Sequence, residues 1–331
     1  MRRPGASQRV RTMKAALPAL LLVTAMSPAS GAEPYPVRPV RVIVPFAPGG
    51  TLDLTARVTS LQLSEQLGRS FVVDNRSGGT GIIGYGLVAK AAPDGYTLTL
   101  IDTGFAIVPS VRKSLPYDTV RDFTPITQII GVPRALVVHP SIKAGTLKEF
   151  VALAQASPGK LNYGSGGAGG INHLSCVLFN RAAKVDIAHI PYKGAGEATT
   201  AVVGGQVDMV IAAAPGVVSH VQAGRLRALA VTTAEGKRYS ALPDVPSIGE
   251  AGVPGMTLVT WFGLAGPAGM PQAIVNRLHA EVVKALAVPI VKERFQGSEL
   301  VGSAPAAFAA VVRDDIRLWA DVVKAAGVTP E

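Results

Sequence analysis

The sequence predicts an α/β protein of two lobes, each built on a mainly parallel sheet flanked by helices, with a ligand cleft between them. Three observations carry this expectation. β-branched runs alternate with segments of helical periodicity. Glycine-rich turns join strand ends to helix starts. The alternation also pauses near residue 133 and then begins again. The expected division is residues 33–133 plus 255–331 for the first lobe and 134–254 for the second, with residues 1–32 preceding both.

Residues 1–32 read as a secretory signal peptide. Arg2, Arg3, Arg9, Arg11 and Lys14 precede an apolar run at 15–26, and Ser30-Gly31-Ala32 supplies small residues for cleavage. The run contains Pro18 and is short for a membrane helix. Met13-Lys14 also opens a normal signal, so either methionine serves as a start, and Arg2-Arg3 lies too far from the apolar run for a twin-arginine signal. The expected location is the periplasm. Cys176 is the only cysteine, which leaves an exported chain without an internal disulfide or a thiol for lipid attachment.

In the first lobe, residues 40–46 form a β-branched run that ends at Pro48-Gly49-Gly50. A helix over about 52–67 follows, with Leu54, Val58 and Leu61 at helical spacing. Residues 71–74 and 96–101 read as further strands, separated by glycine-rich 77–81 and a helix through Ala89. Strand, helix and strand at this pitch imply βαβ units with right-handed crossovers. In the second lobe, 135–140 is a strand and Thr146 caps a helix that runs to about 156. Residues 161–163 lead into glycine-rich 164–170 and a helix over 172–182. Strands at 188–192, 207–213 and 226–232 alternate with helices at 196–203 and 214–223. Beyond Pro254 come a short strand at 258–263 and helices at 272–287, 291–296 and 304–325, expected to return over the first lobe.

The whole chain carries 32 basic and 22 acidic residues. Five of the basic ones lie in the first 32 positions, leaving 27 against 22, or +5. No Lys/Arg cluster is interleaved with aromatics, so nucleic-acid binding is excluded and a mild preference for anionic ligands remains. The five histidines (His139, His173, His189, His220, His279) lack H-x-x-x-H spacing, so no metal site is expected. Ser165 sits in Asn-Tyr-Gly-Ser-Gly and forms no nucleophile elbow. Gly164, Gly166 and Gly169 match a dinucleotide fingerprint, but Asp186 precedes the following strand instead of ending it. No catalytic residue and no cofactor is expected. Cys176 reads better as a small buried residue than as a nucleophile.

Two turns stand out as anion sites. Phe46-Ala47-Pro48-Gly49-Gly50-Thr51-Leu52-Asp53 opens the first helix, and 164–170 opens a helix of the other lobe. At such turns, backbone N–H groups and the positive helix end face a ligand. Each turn alone reads better as an ordinary tight connection, and only the pair together favours an anion site. His173 reads either as a pocket hydrogen-bonding group or as a helix-start residue bonded to local backbone. Trp261-Phe262 could flank the cleft, although core packing is the commoner fate of such a pair.

An ordered string of motifs then carries a resemblance: "VPFAPGG" at 44–50, "DNR" at 74–76, "KAAPDGYTL" at 90–98, "LPYDTVRDFTPI" at 115–126, "GKLNYGSGG" at 159–167, "PYKG" at 191–194, "GGQVD" at 204–208, "LPDVPSIGEAGVPG" at 242–255 and "WFGLAGPAG" at 261–269. Together they resemble the Bug-type receptors, the periplasmic substrate-binding proteins of tripartite tricarboxylate transporters. The resemblance implies a type II periplasmic-binding fold that captures a small carboxylate without an arginine clamp. A monomer serving large and small membrane subunits is also implied. The implied contacts are Phe46, Ala47, Gly49, Gly50, Thr51 and Asp53, then Thr103 and Gly104, then Ser165, Gly166, Ala168, Gly169, Gly170 and His173, with Ala212 facing them. Leu52 stands where the family often has a hydroxyl, Gly170-Ile171 where Thr or Ser is common, and Ala212-Ala213-Ala214 where a polar residue is common. These departures predict a less polar pocket, suited to a monocarboxylate with an apolar or aromatic body. The alternatives are an exported sensor that presents its closed form to a membrane signalling partner, or an exported hydrolase.

Overall fold

The computed structural model describes residues 35–330, together with Met1 and Gly5. The expected signal segment, 1–32, otherwise lies outside the described residues. In chain order the elements are β1 (Val40–Val44), α1 (Thr51–Leu67), β2 (Phe71–Asn75), α2 (Ile82–Ala89), β3 (Thr97–Asp102), α3 (Thr103–Val111) and β4 (Phe123–Val138). Next come α4 (Leu147–Ala156), β5 (Asn162–Ser165), α5 (Ile171–Ala183), β6 (Ala188–Pro191), α6 (Ala195–Val203), β7 (Met209–Ala213), α7 (Val218–Gln222) and β8 (Arg227–Val231). The chain ends with β9 (Val259–Pro267), α8 (Gln272–Ala287), α9 (Pro289–Arg294), β10 (Glu299–Leu300) and α10 (Pro305–Ala325).

The protein is a two-lobed α/β fold on two mixed sheets that share one strand. In the first, β2-β1-β3 are parallel, whereas β9 runs antiparallel to both β3 and β4, and β10 borders β4. In the second, β5 lies parallel to β6 and β7, while β7 and β8 pair antiparallel with the far end of β4. The βαβ units are those read from the sequence, but the returning strands make each sheet mixed where a mainly parallel one was expected. Strand β4 is also much longer than the expected 135–140. It carries Pro125 and Pro133, which break the run of strand formers. Pro125 falls at a register shift, and Pro133 is the last residue paired with β9 before Arg134 begins the pairing with β7.

Side-chain alternation explains the layers. Val42 and Val44 enter a core with Leu52, Ala56 and Leu63 of α1 and Val275, Leu278 and Val282 of α8. Ile43, between them, faces the opposite core with Tyr85 of α2, Phe105 of α3 and Phe308, Val312 and Trp319 of α10. Helices α8 and α10 therefore cover the two faces of the first sheet. In the second sheet, Leu136 and Val138 pack with Phe150 of α4 and Phe179 of α5, while Ala135 and Val137 pack with Ala201 and Val202 of α6. Thr146 makes a full capping box with Glu149 at the start of α4.

The chain passes between the sheets at Pro133/Arg134 and again between Thr232 and Leu258. Thr232, fully buried, ties the two passages together. Its amide donates to Arg134 O at 2.8 Å, and its Oγ1 accepts from the Arg134 amide at 2.9 Å and donates to Leu258 O. The Leu258 amide returns a bond to Thr232 O at 3.1 Å.

Candidate ligand cleft

A cleft of about 580 Å³ opens where the sheets meet, within the size range of small-molecule sites. Phe46, Ala47, Gly50, Thr51, Leu52 and Asp53 line it from the β1–α1 turn, and Asp102, Val132, Thr260 and Phe262 from the first sheet. Ile171 and Asn172 of α5, Ala195, Gly196, Thr199 and Thr200 of α6, and Ala212, Ala213, Gly216 and His220 line the other side, with Arg134 between.

Three helix N-termini reach this space: α1, α5 and α6. Their N-caps are Gly50, Gly170 and Gly194, all in extended conformation, and none has a side-chain cap. The first-turn N–H groups, which a Ser, Thr or Asp cap would satisfy, are thereby left for a ligand. A Cβ at Gly50 or Gly194 would meet no atom within 4 Å, so both glycines border open space. Among the described residues only α3 and α4 carry side-chain caps, α2, α7, α8, α9 and α10 lacking one as well; α3 is closed by the cleft-lining Asp102, whose Oδ1 accepts from the Phe105 amide at 3.2 Å.

The acidic groups of the cleft are occupied by the fold. Asp53 Oδ2 accepts from the Gly49 amide (3.0 Å) and Arg57 Nε (2.9 Å), and Oδ1 accepts from Asn75 Nδ2 (2.9 Å). Asn75 Nδ2 also donates to Phe46 O at 3.0 Å, so Asp53 and Asn75 together brace the first turn. Burial pushes the Asp53 carboxyl up, but its bonds from Arg57, Gly49 and Asn75 outweigh this and hold it below the usual range. Burial dominates at Asp102, which is pushed up to about 6 against the opposing amides of Phe105 and Gly104.

The second glycine-rich turn divides between two cavities. Its helix start lines the main cleft, whereas Ala168, Gly169, Gly170 and His173 line a separate cavity of about 550 Å³ with His189, Arg112 and residues 326–329. His173 Nδ1 accepts from the Gly169 amide at 3.0 Å, the local backbone bond of the two readings. The His173 ring stacks on His189 with centroids 4.1 Å apart. Burial, aided by His189, lowers His173 to about 4, so it is neutral at pH 7. Ser165 Oγ lies 2.6 Å from His189 Nε2, yet the serine is fully buried and its Oγ also bonds Gly167 within the loop. The pair braces the turn and presents no open nucleophile. At Gly166 a Cβ would stand 2.7 Å from the Ala195 amide nitrogen, so this glycine lets the turn pack on the start of α6.

Of the residues singled out from sequence, Phe46, Ala47, Gly50, Thr51, Asp53 and Ala212 meet in the main cleft. Gly49 takes the left-handed conformation beside it (φ +94°). Thr103 is buried at the start of α3, where its Oγ1 accepts from the Trp261 amide at 3.0 Å, and Gly104 follows it. Phe262 lines the cleft, while Trp261 is buried and donates from Nε1 to Asp315 at 2.5 Å. Sequence reasoning missed the start of α6, although Gly194-Ala195-Gly196 is the same kind of strand–glycine–helix turn. It also missed Arg134, whose only sequence signal is a charge among apolar strand residues.

Among the described residues, no three His, Cys, Asp or Glu side chains cluster to hold a metal ion, and no helix is long and apolar enough to cross a membrane.

The model for the tripartite tricarboxylate transporter family receptor matches residues 55–328. The chain belongs to this receptor family. Protein BugT of Bordetella pertussis is 36% identical over 300 residues, covering 89% of this chain and 91% of BugT. Among solved structures, Rpa4515 of R. palustris with adipate is 36% identical, with a TM-score of 0.74, covering 90% of this chain and 100% of that one. The periplasmic binding protein BugD is 32% identical, with a TM-score of 0.71 and coverage of 90% and 100%. The receptors of this family are solute-binding proteins, and the present cleft lies at the junction of the two sheets of such a fold.

Proposed function

We propose that this protein is an exported periplasmic receptor that captures a small monocarboxylate with an apolar or aromatic body and catalyses nothing. Three uncapped helix N-termini converging on one cleft carry the reading, because such ends bind anions through N–H groups and dipole. Phe46, Val132, Ile171, Ala212, Ala213 and Phe262 offer apolar surface for the body of the ligand. The adipate held by Rpa4515 is a dicarboxylate with an apolar middle, so that likeness supports a carboxylate head and an apolar body, while the single charge rests on the lining of this cleft.

In this reading the lobes are residues 33–133 plus 255–331 and residues 134–254, and they close on the ligand about the passages tied by Thr232. A ligand that touches both lobes favours the closed form by its differential affinity. The monomeric closed form then delivers the acid to the large and small membrane subunits of a tripartite transporter. Mass spectrometry of the ligand retained on purification, paired with small-angle scattering, tests this. An organic acid and a smaller radius of gyration on saturation are expected. A retained sugar or amine, or unchanged scattering at saturation, contradicts the reading.

A further inference from the structure

Arg134 lies at the floor of the cleft, on the strand shared by both sheets, and is 3% exposed. Its Nη2 donates to Ile211 O at 2.8 Å, and Nη1 reaches Thr260 Oγ1 at 3.4 Å. Nε is buried without an acceptor. A guanidinium has five N–H donors, so much of its capacity is unmet. Nor does it have a counter-charge among the described residues. Asp53 is engaged by Arg57, and Asp102 closes α3. The Cys176 thiol interacts with Arg134, but burial pushes it up to about 12 and keeps it neutral. Burial also lowers Arg134 to about 10, which leaves it charged at pH 7. Removing a cation from water without a partner is costly, and this one faces an anion-ready space.

The family resemblance implies capture without an arginine clamp; for this chain we propose instead that Arg134 is the counter-charge for the ligand's carboxylate and the residue that selects an acid over its neutral analogue. The inference rests on the receptor reading above. A planar fork pairs with a carboxylate through parallel hydrogen bonds, and the apolar lining of Val132, Ala212 and Phe262 strengthens the attraction by excluding water. Arg134 is bonded to β7 on one side and reaches Thr260 of β9 on the other, so an anion seated on it contacts the junction about which the lobes move. One fixed cation matches one carboxylate. A second ligand charge would rely on helix ends alone.

Calorimetric titration with aliphatic and aromatic mono-, di- and tricarboxylic acids, each against its amide, tests this in the full chain and in Arg134→Gln, Arg134→Met and Arg134→Lys. The wild type is expected to bind an acid and not its amide. The Gln and Met variants should weaken acid binding by about 30-fold or more, and Lys should keep the preference for acid at reduced affinity. Ligand-free melting of Arg134→Met should be unchanged or raised, since an unpaired buried cation is gone. A folded Gln or Met variant that keeps wild-type acid affinity overturns the inference and leaves the receptor reading standing. A lowered melting temperature with an unchanged acid-to-amide ratio assigns Arg134 to structure alone and also overturns it. A wild type that binds no acid overturns the receptor reading, and this inference with it.

Discussion

Half-buried Asp102 and buried Arg134 are charges of opposite sign beside one cleft, and the fold treats them differently. Asp102 has a structural task, the cap of α3, that does not require its charge. Its folded value of about 6 lies above the ordinary carboxylate value. The sign follows from linkage: stability from this group is full below the unfolded value near 4 and is lost as pH rises through about 6. Asn caps helices as well as Asp does. Asp102→Asn should therefore stabilise the protein on the order of 2 kcal/mol at pH 7.5, with the gain shrinking towards pH 4.5 in thermal melts. The shared place of Phe46, Thr51 and Asp53 on one turn of the cleft wall was legible because they are contiguous in the chain. Arg134 was not, since its setting depends on Ile211 and Thr260, which register rather than local sequence brings beside it.

At the scale of elements, the contrast is between helices with side-chain caps and helices left open. Thr146 closes α4 and Asp102 closes α3, while Gly50, Gly170 and Gly194 leave α1, α5 and α6 open at the cleft. Gly50→Asp and Gly194→Asp would supply the missing caps at positions whose backbone any residue adopts. Each should hold or raise ligand-free stability by a few tenths of a kcal/mol. Each should also weaken acid binding by about tenfold or more, because a carboxylate then occupies the anion's place. Melting and calorimetry on the same variants check both halves. The starts of α1 and α5 were readable as glycine-rich turns after strands. The part of β4 before residue 135 was not, because Pro125 and Pro133 hide a strand whose irregular register accommodates them. Helix α3 was missed because it follows β3 directly, with no turn between Asp102 and Thr103.

The whole molecule depends on two passages between sheets and on the threonine that joins them. Thr232→Val keeps the side-chain shape but leaves the Arg134 amide and Leu258 carbonyl without their hydroxyl partner. It should cost about 1–3 kcal/mol, seen as a lower denaturant midpoint, and should alter the compaction measured by scattering on ligand addition. The two-lobed architecture was legible from the restart of the strand–helix pattern. The mixed order of the sheets was not, because β9 joins β3 to β4 from more than 120 residues further along the chain. On the reading proposed above, the junction of the sheets is a carboxylate site. Calorimetry of the purified wild-type chain against monocarboxylic acids and their amides tests it most directly. One-to-one binding of an acid with an apolar body, and no binding of its amide, are expected. Equal affinity for acid and amide, or heat from neither, would contradict it.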